Sequence, residues 1–290
     1  MKKILITGAG SFVGESFKEY AQQFPNDYDI DVVDMLGEEW KNHDFSSYDT
    51  VFHVAGIAHS DSGKINKDRQ DLYYKVNTDL TIEVAEKAKE SGVKQFIFMS
   101  SSIVYGQKYR IGKEFKVNSQ TQLAPSNVYG DSKAKAEVGI RALDDDSFKV
   151  VIVRPPVIYG RGCKGNYSSL VKISKIAKVF PYIKNERSML YIDNLCEFIR
   201  LMIDNYESGT YFPQNAEYVN TSEMIRMIGE ATGRRIILIK GFAWLFKIMG
   251  MFVGIVNRAF GNFVYDMSMS EYKCDYRVKS LEQSIQEIHG

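Results

Sequence analysis

The chain lacks the features that mark several classes of protein. It holds three cysteines in 290 residues, Cys163, Cys196 and Cys274, and none of them forms a C-x-x-C pair. We therefore expect neither a disulfide scaffold nor a structural zinc site. An excess of one charge is lacking too, because 37 lysines and arginines stand against 36 aspartates and glutamates. Proteins that bind nucleic acid usually need a basic face, so we expect no nucleic-acid partner.

Long apolar runs are also missing. The run at Ile4–Ile6 is too short for a signal peptide and leads into a glycine-containing loop. A second run at 242–256 has 15 residues with Lys247 inside it, whereas a bilayer span needs about 20. It predicts a buried or pocket-covering helix in preference to a helix on a membrane surface. We thus expect a cytoplasmic protein without membrane contact.

The first half of the chain alternates short β-branched runs with longer helical patterns. Runs that are apolar throughout are typical of strands buried on both faces, as in a parallel sheet. Their alternation with helices predicts an α/β fold with a doubly wound parallel (Rossmann) sheet. The predicted strands are Lys3–Thr7, Ile30–Asp34, Thr50–Val54, Gln95–Ser100 and Lys149–Arg154, and the predicted helices include Phe12–Gln23, Tyr74–Ser91 and Val128–Leu143.

The pattern changes after Arg154, where Pro155 and Pro156 interrupt it and glycine and tyrosine become frequent. A strand and a helix return at Arg187–Asp204, and another strand at Gly209–Phe212. We therefore predict a sheet domain of residues 1–154 plus about 187–216. A smaller, discontinuous C-terminal domain takes about 155–186 and 217–290.

A glycine-containing loop joins the first predicted strand to the first predicted helix, with the sequence TGAGSFVG at residues 7–14. Gly8 permits a tight turn, and Gly14 lets the helix pack closely on the strand. The helix N-terminus offers backbone N–H groups and a positive dipole end to a pyrophosphate. The spacing is not a strict G-x-G-x-x-G, but its place after the first strand favours a dinucleotide site over a plain turn.

The second predicted strand ends at Asp34. A carboxylate there accepts hydrogen bonds from a ribose diol and repels a 2′-phosphate, which favours NAD over NADP. Asp29 and Asp31 lie close by, so the assignment depends on the register of the strand. Asp44 with Phe45, just before the third predicted strand, is a candidate border of the adenine.

Tyr129 and Lys133 lie one helical turn apart in YGDSK, near the start of a predicted helix. A nearby ammonium, with a positive nicotinamide ring, is expected to lower the tyrosine pKa from about 10 towards neutrality. Such a tyrosine exchanges a proton with an alcohol oxygen while hydride moves to or from the nicotinamide, and Lys133 can bind the ribose. Upstream, the serines at 100–102 end a strand, where open α/β sheets bind ligands.

Taken together, the motifs resemble the extended short-chain dehydrogenases/reductases. Within that superfamily the chain resembles, over nearly its whole length, the NAD-dependent epimerase/dehydratase group that acts on nucleotide sugars. The resemblance rests on TGAGSFVG, HVAG at 53–56, Asn77 in VNTD, SSSIVYG at 100–106, YGDSK and RPPVIYG at 154–160. It implies an NAD-binding first domain, a nucleotide-sugar-binding second domain, and a homodimer built on the helices at about 70–90 and 128–143.

The resemblance implies Ser101, Tyr129 and Lys133 as the catalytic trio. Ser101 is preferred over its neighbours because it stands four residues before Tyr105, where the family's serine or threonine falls. The implied cofactor is NAD, with NADP the weaker candidate. Its implied contacts are Gly8, Gly10, Ser11, Phe12, Val13, Gly14, Asp34, Asp44, Phe45, Ala55, Gly56, Asn77, Tyr129, Lys133 and Pro156.

On the substrate side the resemblance implies a UDP-sugar. Ser101 and Ser102 are the implied contacts of the sugar. Asn166 and Arg187 resemble residues that bind the diphosphate, Arg187 through a charge-assisted contact. The alternatives are a helix N-cap for Asn166 and a surface ion pair with Glu186 for Arg187.

The chain departs from the family pattern in three places. Ser11 stands where the middle glycine is usual, so the phosphate contact is looser or uses the hydroxyl. Ser102 and Ile103 stand where 4,6-dehydratases carry an Asp-Glu pair, so we reject dehydration. Ala58 replaces a lysine of UDP-galactose 4-epimerases and favours a UDP-4-keto-sugar reductase, whereas Asp34 favours tightly held NAD and epimerisation. Epimerisation and reduction at C4, in surface polysaccharide synthesis, stay open with nearly equal weight.

Two other functions have weaker support. A non-catalytic NAD(P)-binding sensor of the same fold has no need of an acid–base trio. Hydrolysis by the consecutive residues His59, Ser60 and Asp61 would require them to converge in space beside an oxyanion hole. The four histidines lack the spacing of metal ligands, so no metal is expected.

Overall fold

The structure is a computed structural model that describes residues 1–57, 65–106, 109–252 and 254–290. The strands are β1 Lys2–Thr7, β2 Tyr28–Val33, β3 Thr50–His53, β4 Gln95–Met99, β5 Lys116–Val117, β6 Lys149–Val153, β7 Val157–Tyr159, β8 Val179–Pro181, β9 Met189–Tyr191, β10 Gly209–Tyr211, β11 Ile237–Ile239 and β12 Val264–Tyr265. The helices are α1 Phe12–Ala21, α2 Lys67–Tyr74, α3 Leu80–Glu90, α4 Val128–Arg141, α5 Asn166–Ile176, α6 Ile192–Asp204, α7 Thr221–Ala231, α8 Ala243–Phe252, α9 Gly254–Phe260 and α10 Leu281–His289. Short 3-10 helices lie at Glu39–Asn42, Ser102–Tyr105 and Met267–Ser270, and a π-helical turn at Lys75–Asp79 joins α2 to α3.

The central sheet has the strand order β10-β6-β4-β3-β1-β2, and its neighbouring strands are parallel. The chain leaves β1 for β2 on one side and then returns to β3 on the other side. This reversal is the switch point at which sheets of this kind bind ligands, outside the carboxyl ends of the strands. The predicted doubly wound parallel sheet is confirmed, and the predicted strand ends agree to within two residues.

The core explains why the central strands are apolar throughout. Every residue of β4 is buried, so side chains on both faces of the strand are removed from water. Phe96 and Phe98 share one core cluster with residues of α3 and α4, including Val84 and Ile140. Each side chain of this size contributes about 1.5–3 kcal/mol through burial. Burial thus fixes α3 and α4 against the sheet, at the carboxyl end of β4 where Ser101 and Tyr129 lie.

The chain divides into two compact units. The first comprises Met1–Gly106, Gln122–Pro155 and Cys196–Phe212, and the second comprises Gln107–Thr121, Pro156–Leu195 and Pro213–Gly290. These bounds differ from the predicted domains mainly at 107–121 and 187–195, which lie in the second unit. The first unit contains the central sheet with its helices, and the assignment of cofactor and substrate to the two domains stays a prediction.

The second unit is built from short parallel strand pairs, β7 with β9, β8 with β11 and β5 with β12, together with helices such as α5, α7 and α10. A small core of Ile111, Ile183, Val256 and Phe260 lies inside it. The apolar run at 242–256 forms α8 and part of α9. Of the two predicted alternatives, a buried helix is wrong for α8, because one face lies on this core while Trp244 on another face is 62% exposed. A pocket-covering helix stays a prediction. No helix among the described residues is long and apolar enough to cross a membrane.

Candidate active site

The loop between β1 and α1 makes a close approach to the loop after β3. Gly8 has a φ of +119°, and a Cβ atom there would lie 2.7 Å from the backbone nitrogen of Ala55. Gly10 has a φ of +70° with open space around the position of a Cβ atom. Only glycine adopts such backbone readily, so these residues bring bare peptide groups to the switch point of the sheet. The Gly10 N–H donates to the Glu15 carboxylate at 3.2 Å, so a diphosphate that binds this backbone would displace that carboxylate.

Ser11 and Gly14 fix the start of α1. Ser11 is the N-cap, and its Oγ atom accepts a hydrogen bond from the Gly14 N–H at 3.2 Å. A Cβ atom at Gly14 would lie 3.0 Å from Ile6 and 3.1 Å from Val54, so only glycine lets the helix pack this closely on β1 and on the loop after β3. Phe12 and Val13 begin the helix, where backbone N–H groups have no partner within the helix. The Ser11 hydroxyl therefore acts as a cap in this structure.

Three acidic residues around β2 have different surroundings. Asp29 and Asp31 lie within the strand, and Asp31 accepts a hydrogen bond from the Tyr48 hydroxyl at 2.8 Å. Asp34 directly follows the strand, is exposed, and accepts the Leu36 N–H at 3.0 Å. Asp34 is therefore the carboxylate at the ligand-binding end of β2, which settles the register that the sequence left open.

Asp44 and Phe45 lie before β3 but face different surroundings. Asp44 is exposed and accepts the Ser46 N–H at 2.9 Å, and this backbone hydrogen bond is the largest cause that lowers the pKa of its carboxyl group. The side chain of Phe45 is fully buried in the core of the first unit. A Phe45 ring that borders an adenine is thus excluded, because the ring packs inward among apolar side chains.

Asn77 holds the loop after β3 against α4. Its side chain is fully buried in the π-helical turn, and its amide exchanges hydrogen bonds with the backbone N–H and oxygen of Ile57 at 2.8 and 3.2 Å. The same amide donates to the Ser132 Oγ atom at 3.1 Å. A Cβ atom at Gly56 would lie 3.0 Å from Asn77 and 3.1 Å from the Lys133 Nζ atom. Ala55 and Gly56 thus link the glycine loop to Lys133.

Tyr129 and Ser101 meet at the carboxyl end of β4. Asn127 caps α4 by accepting the Gly130 N–H at 2.8 Å, which places Tyr129 in the first turn. The side chains of Tyr129 and Ser101 interact, and this interaction lowers the pKa of Tyr129. Ser101 also caps the following 3-10 helix, where its Oγ atom accepts the Ile103 N–H at 3.3 Å. Ser102, in contrast, is buried, and its N–H donates to the backbone oxygen of Pro155 at 2.9 Å.

The protein alone raises the pKa of Tyr129. Burial is the largest cause and raises it to about 12, only partly opposed by the interaction with Ser101. Lys133 does not supply the expected positive charge in full, because burial also lowers its own pKa to about 7. The predicted lowering of the Tyr129 pKa rests on a positive nicotinamide beside the ammonium, so it stays a prediction for the cofactor-bound protein. The protein packed around the two groups disfavours both charged forms more than the groups stabilise each other.

A buried polar network lies next to these residues, and sequence reasoning missed it. Glu137 follows Lys133 by one turn of α4 and forms a two-point ion pair with Arg154, with Nε–Oε1 at 3.0 Å and Nη2–Oε2 at 2.5 Å. Glu137 also accepts the Ser100 hydroxyl at 2.5 Å, and Arg154 donates to the Tyr105 hydroxyl at 2.7 Å. The Arg154 of RPPVIYG and the Tyr105 of VYG were visible in the sequence, but their partner Glu137 was not.

The second unit carries Pro156 and two of the predicted substrate residues, Asn166 and Arg187. Asn166 is exposed and is the first residue of α5, whereas the N-cap is Gly165, so the N-cap alternative for Asn166 is wrong. Pro156 is buried directly before β7. Ala58, His59, Ser60 and Asp61 lie outside the described residues.

Arg187 is buried, which rules out the alternative of a surface ion pair. Its Nη1 atom donates to the backbone oxygens of Arg258 at 2.5 Å and Gly261 at 3.3 Å, and its guanidinium lies 5.2 Å from the centre of the Tyr109 ring. Burial is the largest cause that lowers its pKa. Its polar partners among the described residues are carbonyl oxygens, so an anionic ligand would find a cation that no carboxylate of this part of the chain neutralises.

A family model described as the NAD dependent epimerase/dehydratase family matches residues 4–213. The chain belongs to this family. The resemblance inferred from the motifs is thus confirmed, and the matched region includes the glycine loop, Ser101, Tyr129, Lys133 and Arg187. Among the described residues no group of histidine, cysteine, aspartate and glutamate is arranged to hold a metal ion.

Relatives within the family share much of the chain. It is 32% identical to a protein from Vibrio cholerae named UDP-glucose 4-epimerase, over 92% of this chain and 88% of that protein. It is 27% identical to an N-acetyl-α-D-glucosaminyl-diphospho-ditrans,octacis-undecaprenol 4-epimerase from Escherichia coli O157:H7, over 80% and 73%. The crystal structure of a UDP-N-acetylglucosamine 4-epimerase from Bacillus cereus superposes with a TM-score of 0.77 at 16% identity, covering 100% of this chain and 98% of that one. At this identity, the structural match shows the fold.

Proposed function

We propose that this chain transfers hydride at C4 of a UDP-linked hexose or N-acetylhexosamine, with epimerisation as the leading reaction. The observation that carries the proposal is the placement of Tyr129 beside Ser101 at the end of β4, where the two side chains interact, with the buried Lys133 one turn away. The two relatives are both named 4-epimerases of diphosphate-linked sugars, which supports reaction at C4. In this proposal the enzyme works in the cytoplasm, in surface polysaccharide synthesis.

The first unit has the features that NAD needs. The N–H groups of Phe12 and Val13 at the start of α1 suit the pyrophosphate, as does the Gly10 N–H once it leaves the Glu15 carboxylate. Asp34 suits the adenosine ribose. We assign the nicotinamide half to Ala55, Gly56, Asn77 and Lys133, with Asp44 and the backbone of Phe45 near the adenine, and with Pro156 beyond β6. The exposed carboxylate of Asp34 favours NAD over NADP.

Acid–base chemistry falls to Tyr129. In epimerisation its phenolate takes the O4 proton of the sugar and later returns it, while the Ser101 hydroxyl donates a hydrogen bond to the same oxygen. Burial holds the pKa of Tyr129 at about 12, so the phenolate needs a positive charge beside it. When bound, oxidised NAD supplies that charge and an acceptor for the C4 hydride. Lys133 positions the ribose and adds charge when it is protonated.

Arg187 and Asn166 are the proposed contacts of the substrate diphosphate. The buried Arg187 guanidinium is oriented by backbone oxygens and by the Tyr109 ring, which leaves its remaining N–H groups for an anion. Asn166 is exposed at the first turn of α5, where backbone N–H groups also favour a negative charge. Ser102 is a further proposed contact of the sugar, and it lies largely buried beside Ser101.

Reduction of a UDP-4-keto sugar is the second candidate, favoured by Ala58 where UDP-galactose 4-epimerases carry a lysine. In that reaction Tyr129 donates one proton to O4 and no proton is taken back. Dehydration is not proposed, because the family's dehydratases carry an Asp-Glu pair where this chain has Ser102 and Ile103. The family is named for epimerases and dehydratases, so the products must decide between epimerisation and reduction.

The deciding experiment is incubation with UDP-galactose, UDP-N-acetylgalactosamine and UDP-4-keto sugars, with products read by mass spectrometry and NMR. We expect NAD to co-elute with the purified protein and C4 epimers to form without added cofactor. Turnover only of 4-keto sugars with added NADH or NADPH would establish the reductase instead. Binding of cofactor without binding of any UDP-sugar would identify a sensor and overturn the proposal. A dimer mass in light scattering is expected from pairing of α3 and α4.

A further inference from the structure

In the part of the chain that the structure describes, the second unit has an exposed apolar surface. In the β8–β11 pair, Val179 lies opposite Ile237, and both side chains are more than half exposed on the same face. Ile239, two residues further along β11, is also exposed on that face. Helix α8 follows within four residues and exposes four apolar side chains of its own: Trp244, Leu245, Ile248 and Met249.

Helix α8 is apolar on both of its faces. Phe246 and Gly250 lie on the inner face, where the Phe246 ring makes an edge contact with Phe260 at 5.5 Å. On the outer face, Trp244, Leu245, Ile248 and Met249 span an arc of about 140° at 100° per residue. Lys247 is exposed between these two faces. A helix with apolar side chains around most of its circumference normally has apolar surroundings on most sides. Its outer face therefore indicates a partner that offers an apolar environment.

The same region is strongly basic. From 231 to 265 the chain has no acidic residue but carries Arg234, Arg235, Lys240, Lys247 and Arg258. From 156 to 185 it has six basic residues and again no acidic one. The second unit as a whole carries 20 lysines and arginines against 11 acidic residues, a net +9, and the first unit 17 against 25, a net −8. The overall charge of +1 thus conceals one basic unit and one acidic unit.

We propose that the outer face of α8, with the exposed face of the β8–β11 pair, docks on a bilayer that contains anionic phospholipid. Exposed aromatic and aliphatic side chains enter the boundary between headgroups and acyl chains, and nearby lysines and arginines are attracted to the negative surface. Trp244 is 62% exposed, and tryptophan favours this interface. The helix has 10 residues, which suits a position in the plane of the interface and not a span.

A second copy of the chain is the less suitable occupant of this face. In a symmetric dimer the same patch meets itself, so its arginines and lysines would face one another across a desolvated interface. A lipid surface, in contrast, has the opposite charge and an apolar interior. The proposal goes beyond the proposed reaction and does not depend on it, because no residue of the patch belongs to the candidate active site.

Tryptophan fluorescence gives a direct test, since the chain has only two tryptophans. Trp40 is 2% exposed in the core of the first unit, so a change on docking must come from Trp244. Vesicles of equal parts phosphatidylcholine and phosphatidylglycerol are expected to shift the emission to the blue and to sediment the protein. Vesicles of phosphatidylcholine alone are expected to do so far less, and high salt to reverse the binding.

Two pairs of substitutions separate the apolar from the electrostatic contribution. Trp244→Gln with Ile248→Gln, and separately Arg235→Glu with Lys240→Glu, are each expected to weaken sedimentation about tenfold. Val278→Gln is the matched control, because Val278 is 43% exposed in the same unit outside this surface. Circular dichroism confirms folding of each variant, and if the apolar pair does not fold, the charge pair decides. Wild-type protein that stays in the supernatant with anionic vesicles, or variants that sediment like wild type, would overturn the proposal. So would a wild-type oligomer that Trp244→Gln with Ile248→Gln dissociates.

Discussion

The Nζ atom of Lys133 lies 2.9 Å from the backbone oxygen of Met99, the last residue of β4. Through this contact the side chain of α4 is held at the carboxyl end of the central strand, 4.5 Å from the centre of the Phe98 ring. The amine is buried, and its position fixes where Tyr129, one turn earlier, presents its hydroxyl to Ser101. Because β4 and α4 share one core, Tyr129 and Lys133 are held in a fixed arrangement at the end of β4.

Tyr129→Phe is expected to reduce turnover of the UDP-sugar by about 10²–10⁴-fold, the usual contribution of a positioned acid–base group. The ring is retained, so NAD affinity is expected to stay at the wild-type level. Tyr74→Phe is the matched control. The Tyr74 hydroxyl of α2 donates to Asp131 of α4 at 2.7 Å and takes no part in the proposed chemistry. Wild-type turnover in Tyr129→Phe, measured from C4 epimer formation by NMR, would reject the mechanism.

The low pKa of Lys133 predicts a pH dependence of stability. The folded-state pKa is about 7, whereas the unfolded value is 10.5, so between these values the unfolded chain holds a proton that the folded chain has lost. The free energy of unfolding therefore rises with pH in this window, by at most about 1.4 kcal/mol per pH unit from this group. Burial also lowers the pKa of His53, to about 3, but this group acts below about pH 6.5 and lies outside the window.

Urea unfolding of the cofactor-free protein at pH values from 7 to 9 tests this dependence. Lys133→Met removes the titrating group, so its free energy of unfolding is expected to rise less steeply over that range than the wild-type value. The comparison uses the slope of the free energy of unfolding against pH and not its absolute value, because the substitution also changes packing. Equal slopes in the two proteins would show that Lys133 keeps its proton in the folded state.

The ion pair of Glu137 and Arg154 is expected to be costly to break from one side. Glu137→Gln leaves a buried guanidinium without its counter-ion, so we expect a loss of about 3–5 kcal/mol in the free energy of unfolding. The double variant Glu137→Gln with Arg154→Met is expected to lose less free energy of unfolding than the two single variants lose in sum. Glu223→Gln serves as the control, since the Glu223–Arg226 pair is partly exposed and is worth at most about 1 kcal/mol.

Particular residues show which features of the fold and of the site the sequence predicts. Apolar strands such as β4 show by composition alone that both faces are buried, and Gly8 and Gly14 show where backbone comes close, so the parallel sheet and its loop were predictable. The pairing of Glu137 with Arg154 was not, because a polar residue in a helix does not reveal which strand end it meets. The raised pKa of Tyr129 also depends on the packing around it. The exposure of Trp244 was missed because an apolar run does not show which of its faces is covered.

Asp34 is expected to set the choice between NAD and NADP. Its carboxylate is exposed directly after β2, where it can accept hydrogen bonds from a ribose diol and would repel a 2′-phosphate by about 1 kcal/mol or more at 4 Å. Asp34→Ser is therefore expected to raise NADP affinity relative to NAD affinity by about five- to tenfold, as measured by fluorescence titration. Asp31→Asn is the control, because Asp31 lies inside the strand and is bound to Tyr48. An unchanged ratio in Asp34→Ser would place the ribose contact at another residue, and a changed ratio in Asp31→Asn would move it into the strand.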